Sequence, residues 1–270
     1  MIALHDVREV VERLWPLQGA ESWDAPGLVS GDPRDEVSRI VLAVDAVAAT
    51  VEEALESNAD LLLVHHPLLL RGVTSVAEST AKGALLARLI RGRCALYAAH
   101  TNADIVETGT SGRWAELLGL RTPKPIVETA EGVGLGRVGA LPETTTLGEL
   151  ARRLADLLPA TASGVRVAGD WDQAVTSVAV CGGAGDSLLG EPAVRASDVY
   201  ITSDLRHHPA SESRESALVS GGPALIDVSH WASEWMWLDT AAEELRRALP
   251  GVEVVVSQLR TDPWDFVVVQ

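Results

Sequence analysis

Two similar α/β domains are the fold class this sequence predicts, and three observations predict it. Aliphatic, strand-like runs alternate with helix-like segments, the pattern of βαβ units in a parallel sheet. That grammar occurs twice along the chain, as in a duplicated half. Each copy contains a His-His-Pro, His65-His66-Pro67 and His207-His208-Pro209. A later strand-like run then leads into a His-x-x-x-acid spacing, His100 to Asp104 and His230 to Glu234. The domains are expected over 1–123 and 124–270, with the segment from about 222 able to return to the first.

The N-terminal stretch from Met1 to Glu9 opens a charged amphipathic helix rather than a signal peptide. Glu21 to Leu28 is rich in turn formers and reads as a loop. Arg39 to Asp45 is strand-like, and Ala49 to Asn58 is helical, with Val51, Ala54 and Leu55 on one face. Leu61 to Val64 is a buried strand that stops before Pro67, because proline has no N–H for the ladder. A helix over Ala81 to Ile90 leads to the strand Cys94 to Ala99 and the polar cluster His100 to Asp104. Pro123-Lys124-Pro125 is the linker candidate.

Gly134-Leu135-Gly136-Arg137-Val138-Gly139 matches a dinucleotide fingerprint, but no strand precedes it and no helix opens within it. It reads as tightly packed strand. The helix after it starts at Thr146, where Thr-x-x-Glu149 forms a capping box. In the second half, Val178 to Cys181 is a strand, Asp186 to Ala196 a helix, and Asp198 to Thr202 a strand. Ala224 to Ser229 is another strand, running into His230.

Composition narrows the function classes. A net charge of −16 argues against a surface for duplex nucleic acid or anionic membrane. No apolar run reaches the ~20 residues of a membrane helix. Cys94 and Cys181, each in an apolar run, fit a reducing compartment without disulfides. A soluble, cytoplasmic protein is expected. Without a P-loop, Arg137 and Lys82 remain as unplaced cations for a phosphate.

Ligands of parallel sheets gather beyond the carboxyl ends of strands, where these histidines lie. His65 and His66 point to opposite faces, so they suit two ions side by side better than one. A helix beginning at the histidine of His-x-x-x-acid puts both side chains on one face, close enough to serve one metal pair. Imidazole with carboxylate suits zinc, iron, manganese or nickel. The duplication alone does not choose between the two His-His-Pro motifs. Trp231, Trp235 and Trp237 read as core or subunit interface, with a stacking platform for a purine as the sharper alternative.

Taken in order, these motifs resemble the NIF-three-like family of dinuclear-metal proteins, whose members often carry the label GTP cyclohydrolase 1 type 2 homologue. The likeness runs through Trp23-Asp24, Gly27-Leu28, His65-His66-Pro67, His100-Thr101-Asn102, Asp104 and Gly134-Leu135-Gly136-Arg137. It continues in Cys181-Gly182-Gly183, Thr202-Ser203-Asp204, His230, Glu234 and Thr261-Asp262-Pro263. The resemblance implies that His65, His66, Asp104, His230 and Glu234 ligate two divalent metal ions between the two domains. It selects the first His-His-Pro, leaves His207 and His208 as loop residues, and implies a toroidal homohexamer. No inserted extra domain is expected, because the second α/β unit accounts for the chain between Asp104 and His230. Ser203 and Ser229 stand where the family has glycine, which is expected to alter the loop geometry.

The function this implies is a dinuclear metal-dependent hydrolase acting on a small molecule such as a nucleotide. In the GTP cyclohydrolase version, a metal-bound hydroxide attacks the purine and opens its imidazole ring. His100 has two readings, a general acid/base and a residue that orients Asp104. Phosphoester hydrolysis, or a non-catalytic metal-binding role in regulation or assembly, are the rivals.

Overall fold

The computed structural model describes residues 2–269. They divide into two compact units, one running as far as Ala103 and including Trp237–Thr261, the other comprising Asp104–Met236 and the residues from Asp262 on.

The first unit is built on a five-stranded sheet in the order Glu253–Val256, Arg39–Ala43, Leu61–Val64, Ala95–Ala98, Gly27–Ser30. The first four strands are parallel and Gly27–Ser30 runs antiparallel on Ala95–Ala98. Leu61–Val64 is buried at every position. This is why the run is uniformly aliphatic: a parallel strand covered on both faces has no polar side to alternate with. Helices Ala48–Glu56 and Ala81–Arg91 put Val51, Ala54, Leu86 and Leu89 against Val41, Leu62 and Leu96. Trp237–Ala248 packs beside Glu253–Val256 and Arg39–Ala43, and also meets the N-terminal helix Leu4–Leu14.

The second unit holds a six-stranded sheet in the order Arg166–Ala168, Ala224–Val228, Val199–Ser203, Ala174–Ala184, Arg137–Thr146, Arg121–Lys124. Ala174–Ala184, Val199–Ser203 and Ala224–Val228 are parallel, and the other pairings are antiparallel. Each unit thus contains three successive parallel strands with an antiparallel strand beside the third.

A small device recurs with them. Asp60, just before the middle strand of the first unit, accepts from Ser38 N (2.7 Å), Ser38 Oγ (2.8 Å) and Arg39 N (3.0 Å). Asp198, at the equivalent place, accepts from Thr176 N (2.8 Å), Thr176 Oγ1 (2.7 Å) and Ser177 N (2.8 Å).

The Thr146 capping box forms: Thr146 Oγ1 accepts from Glu149 N at 3.2 Å, and the Glu149 carboxylate accepts from Thr146 N at 3.2 Å. The glycine-rich stretch is strand, Val133–Leu135 and Arg137–Thr146, turning at Gly136 with φ +63°. Three sequence expectations need correction. The helix expected over Asp186 to Ala196 is a 3-10 turn, Asp186–Leu188, and a separate short helix, Pro192–Arg195. Pro192 takes the first helical turn, where its missing N–H costs nothing, so the helix starts there instead of continuing. Pro123-Lys124-Pro125 is no free linker, because Arg121–Lys124 is the edge strand of the sheet, a position that tolerates proline. His207 and His208 are not loop residues; they open the exposed helix His207–Ser220.

Candidate metal centre

In the first unit, the polar residues of interest follow the strand ends. Backbone N–H groups of His65 and His66 both donate to Val44 O, at 3.1 and 2.9 Å, which carries the chain past Val64 in register with the neighbouring strand. His65 is buried, and its Nδ1 lies 2.8 Å from Ala99 O. His66 Nδ1 lies 2.7 Å from Asp45 Oδ1. Asp45 is itself held by Thr261, whose hydroxyl donates to the other carboxylate oxygen. His100 follows Ala95–Ala98, and its Nδ1 lies 2.7 Å from Asp24 Oδ1.

Asp24 also accepts from Thr101 N (3.0 Å) and Thr101 Oγ1 (2.5 Å). Burial alone would raise the Asp24 pKa, but the hydrogen bonds from His100 and Thr101 overcome it and hold the carboxyl down to about 2. Ligand atoms of His65, His66 and His100 all lie within 4.8 Å of one another.

In the second unit, the helix His230–Trp235 begins at the histidine, and His230 Nε2 stands 3.0 Å from Glu234 Oε1 across one turn. His230 Nδ1 is 2.7 Å from Asp204 Oδ2. Burial disfavours the charged ring, but the Glu234 and Asp204 carboxylates outweigh it and hold the His230 pKa up to about 11. Two carboxylates on one imidazole call for a cation, and a metal ion competes with the proton for that place. Asp104 accepts a 2.5 Å hydrogen bond from Thr110 Oγ1. Asp104 and Glu234 both act on the Cys181 thiol, whose pKa burial first of all, and then these two charges, push up to about 12. Burial, with a smaller push from the Asp60 charge, does the same for Cys94. A raised pKa of this kind does not favour either thiol as a nucleophile.

Glycine is required between these side chains. Gly183 has φ +69°, and a Cβ there would lie 2.4 Å from Glu234 Oε1 and 3.3 Å from His230 Nε2. Its N–H donates to Ser233 Oγ at 2.9 Å.

The donor set fits divalent transition ions. Each of the four histidines has Nδ1 against a carbonyl or carboxylate oxygen, which fixes the ring and leaves Nε2 as the nitrogen that could meet a metal ion or exchange a proton. Sequence reasoning named the histidines but missed Asp45 and the orienting roles of Asp24 and Asp204. The signal available was position: Asp204 directly follows the strand end Ser203, and Asp45 lies two residues beyond the strand end Ala43.

Other residues stand differently from expectation. Ser203 closes a strand and Ser229 caps a helix with φ −60°, so neither needs glycine's freedom; the left-handed residue is Asp204, φ +55°. Ser229 Oγ accepts from Ala232 N at 3.2 Å and donates to Asp262. Arg137 is no phosphate ligand: it is buried, donating to Gly134 O, Gly136 O and Val106 O at 2.7 Å each. Trp231 and Trp237 are buried, and Trp237 packs with Trp15 and His65 at centroid distances of 5.1 and 5.4 Å. His100 pairs with Asp24, and Asp104 accepts from Thr110.

The family model described as Duf34/NIF3 (NGG1p interacting factor 3) matches residues 2–263. A Streptomyces coelicolor protein named GTP cyclohydrolase 1 type 2 homolog is 47% identical over 272 residues, spanning 98% of this chain and 94% of that one. A Mycobacterium leprae protein of the same name is 36% identical, with 97% and 95% covered; its alignment runs over 372 positions, so it carries a long insertion relative to these 270 residues. Among solved structures, a Bacillus cereus protein related to NIF3 superposes with a TM-score of 0.89 over 98% of this chain and 99% of its own, at 22% identity, a likeness of fold. No helix among the described residues is long and apolar enough to cross a membrane.

Proposed function

This chain belongs to the Duf34/NIF3 family, and on that premise we propose that it is a metal-dependent hydrolase whose ligands for two divalent ions are His65, His66, Asp104, His230 and Glu234. The observation that carries the reading is the treatment of the histidines: Ala99 O, Asp45, Asp24 and Asp204 each hold one Nδ1 at 2.7–2.8 Å. A carbonyl or carboxylate that fixes one ring nitrogen is the usual support of a metal-binding or proton-transferring histidine. A pair of divalent ions, when bound, supplies Lewis acidity and makes hydroxide available near neutral pH.

The chain's own residues then divide the remaining work. Asp45 and Ala99 O aim the His66 and His65 rings, and Asp204 aims His230. Asp24, kept ionised, fixes His100 so that its Nε2 is the atom that exchanges a proton with the reacting molecule. The names of the relatives favour GTP as the substrate, with hydrolytic opening of the purine imidazole ring.

The test is metal analysis of the purified chain, followed by incubation with GTP while ultraviolet absorbance and formate are measured. Two ions per chain with formate release, both absent in His66→Ala, are expected. Turnover that survives His66→Ala defeats the reading. Cleavage of phosphoesters without formate would move the chemistry to phosphoester hydrolysis. Two bound ions with turnover of neither would leave a metal-binding role in regulation or assembly.

Self-association belongs to the same proposal, with a homohexamer as the expected state. Trp264 and Phe266–Val269 expose 61–88% of their surface, a concentration of apolar side chains that a second copy would cover. Light scattering of the purified protein should return six chains per particle; a monomer would remove this part.

A further inference from the structure

Three of the chain's tryptophans, Trp15, Trp114 and Trp237, are fully buried, as large aromatic surfaces ordinarily are. Trp23 instead leaves 59% of its surface in solvent. Its loop is not slack. Asp24 N donates to Glu21 O at 3.0 Å, closing a turn around it, and Glu21 N donates to Thr101 Oγ1 at 3.0 Å. The Asp24 carboxylate ties the same turn to His100 and Thr101. An exposed indole is therefore held from both sides by the residues that fix a candidate catalytic histidine.

Its ring centroid lies 5.8 Å from that of His100, with the planes at 80°. His100 in turn lies 5.2 Å from His65 and 5.5 Å from His66. The indole thus stands at the edge of the imidazole cluster. By contrast Trp171, also half in solvent, has the guanidinium of Arg152 4.8 Å over its ring.

We propose that Trp23 is a specificity-determining residue that stacks the planar heteroaromatic ring of the substrate beside the histidine cluster. The inference rests on reading that cluster as the reacting centre. It moves the stacking role from the C-terminal tryptophans, of which Trp231 and Trp237 are buried, to a residue with a ring surface available. A π-face recognises any flat base, so Trp23 sets the class of ligand, and the groups around the histidines select within that class.

Guanosine, which carries no phosphate, is the probe, with ribose 5-phosphate as the ligand lacking a base; calorimetry gives affinities and elemental analysis gives metal content. Trp23→Ala is expected to bind guanosine about tenfold more weakly, with ribose 5-phosphate affinity and metal content unchanged. Trp23→Phe should stay within about twofold of the parent while losing the fluorescence quenching that guanosine causes; Trp171→Phe should keep that quenching. Equal guanosine affinity with and without the indole, or equal losses for both probes, would overturn the proposal. Failure of the metal reading looks different. A chain that binds guanosine through Trp23 but takes up no divalent ion sinks the hydrolase and leaves the stacking residue standing.

Discussion

His65-His66 and His207-His208 each follow the middle of three parallel strands, one doublet in each unit, and proline follows both. Their surroundings diverge. His65 is buried with Nδ1 on Ala99 O, and His66 is half-buried with Nδ1 on Asp45. His207 and His208 lie exposed in the first turn of a surface helix, packed ring to ring at 5.2 Å. A histidine suits a metal ion better when something else fixes its second nitrogen, and in the first unit residues far away in sequence fix those of His65 and His66. After the third strand the two units agree: His100 pairs with Asp24 and His230 with Asp204, each at 2.7 Å. The duplicated scaffold has kept the strand-end histidine in both halves and surrounded the doublet with acceptors in only one.

The widest contrast comes from cutting each doublet. His66→Ala is expected to lose at least one of two metal equivalents and all measurable turnover, while His208→Ala keeps both ions and full rate. Elemental analysis with the formate assay reads this directly. An equal loss in His208→Ala would erase the distinction between the units.

A smaller effect tests the orienting acids. Asp45→Asn retains the shape of the side chain but weakens the hold on His66 Nδ1. Metal affinity should fall by about 10- to 100-fold. Asp204→Asn, acting on His230, belongs in the same range, so competition with a fluorescent chelator should place the two together. An unchanged affinity in either would separate that histidine from the metal.

Much of this architecture is legible in the sequence because it rests on local pattern. Leu61-Leu62-Leu63-Val64 can hardly be anything but a covered strand, and Thr146 to Glu149 spells its own cap. The helical phase of His230 and Glu234 likewise follows from a spacing of four. What escaped is long-range. Nothing near His66 announces Asp45, and nothing near His100 announces Asp24, because those pairs exist only once the sheet has aligned its strand ends. Arg137 shows the opposite failure, a cation whose fate depended on two carbonyls of its own glycine-rich turn and on the distant Val106 O.

Two glycines with the same left-handed backbone sharpen the argument about the second unit. Gly164, φ +59°, has nothing within 4 Å of a built Cβ, so Gly164→Ala should cost only the backbone strain of about 1–2 kcal/mol. Gly183→Ala incurs the same strain and also drives a methyl into Glu234. It should lower the midpoint of thermal unfolding further and weaken metal binding as well, whereas Gly164→Ala moves stability alone.

The smallest expected effect concerns the paired acids Asp60 and Asp198. Burial would raise both carboxyl pKa values, but the hydrogen bonds from Ser38 and Arg39, and from Thr176 and Ser177, outweigh it and hold both below the ordinary carboxylate value. The folded chain therefore favours the ionised form more than the unfolded chain does. That preference is fully present above about pH 4 and disappears as pH falls through the lowered folded values. Asp60→Asn and Asp198→Asn should each flatten the acid limb of a stability-versus-pH curve and leave its slope near neutrality unchanged. Because the two carboxylates bond to separate backbone segments in separate units, the double variant should flatten it by the sum of the two. A deficit in one variant only would mean that the repeated device carries load in one unit and is merely retained in the other.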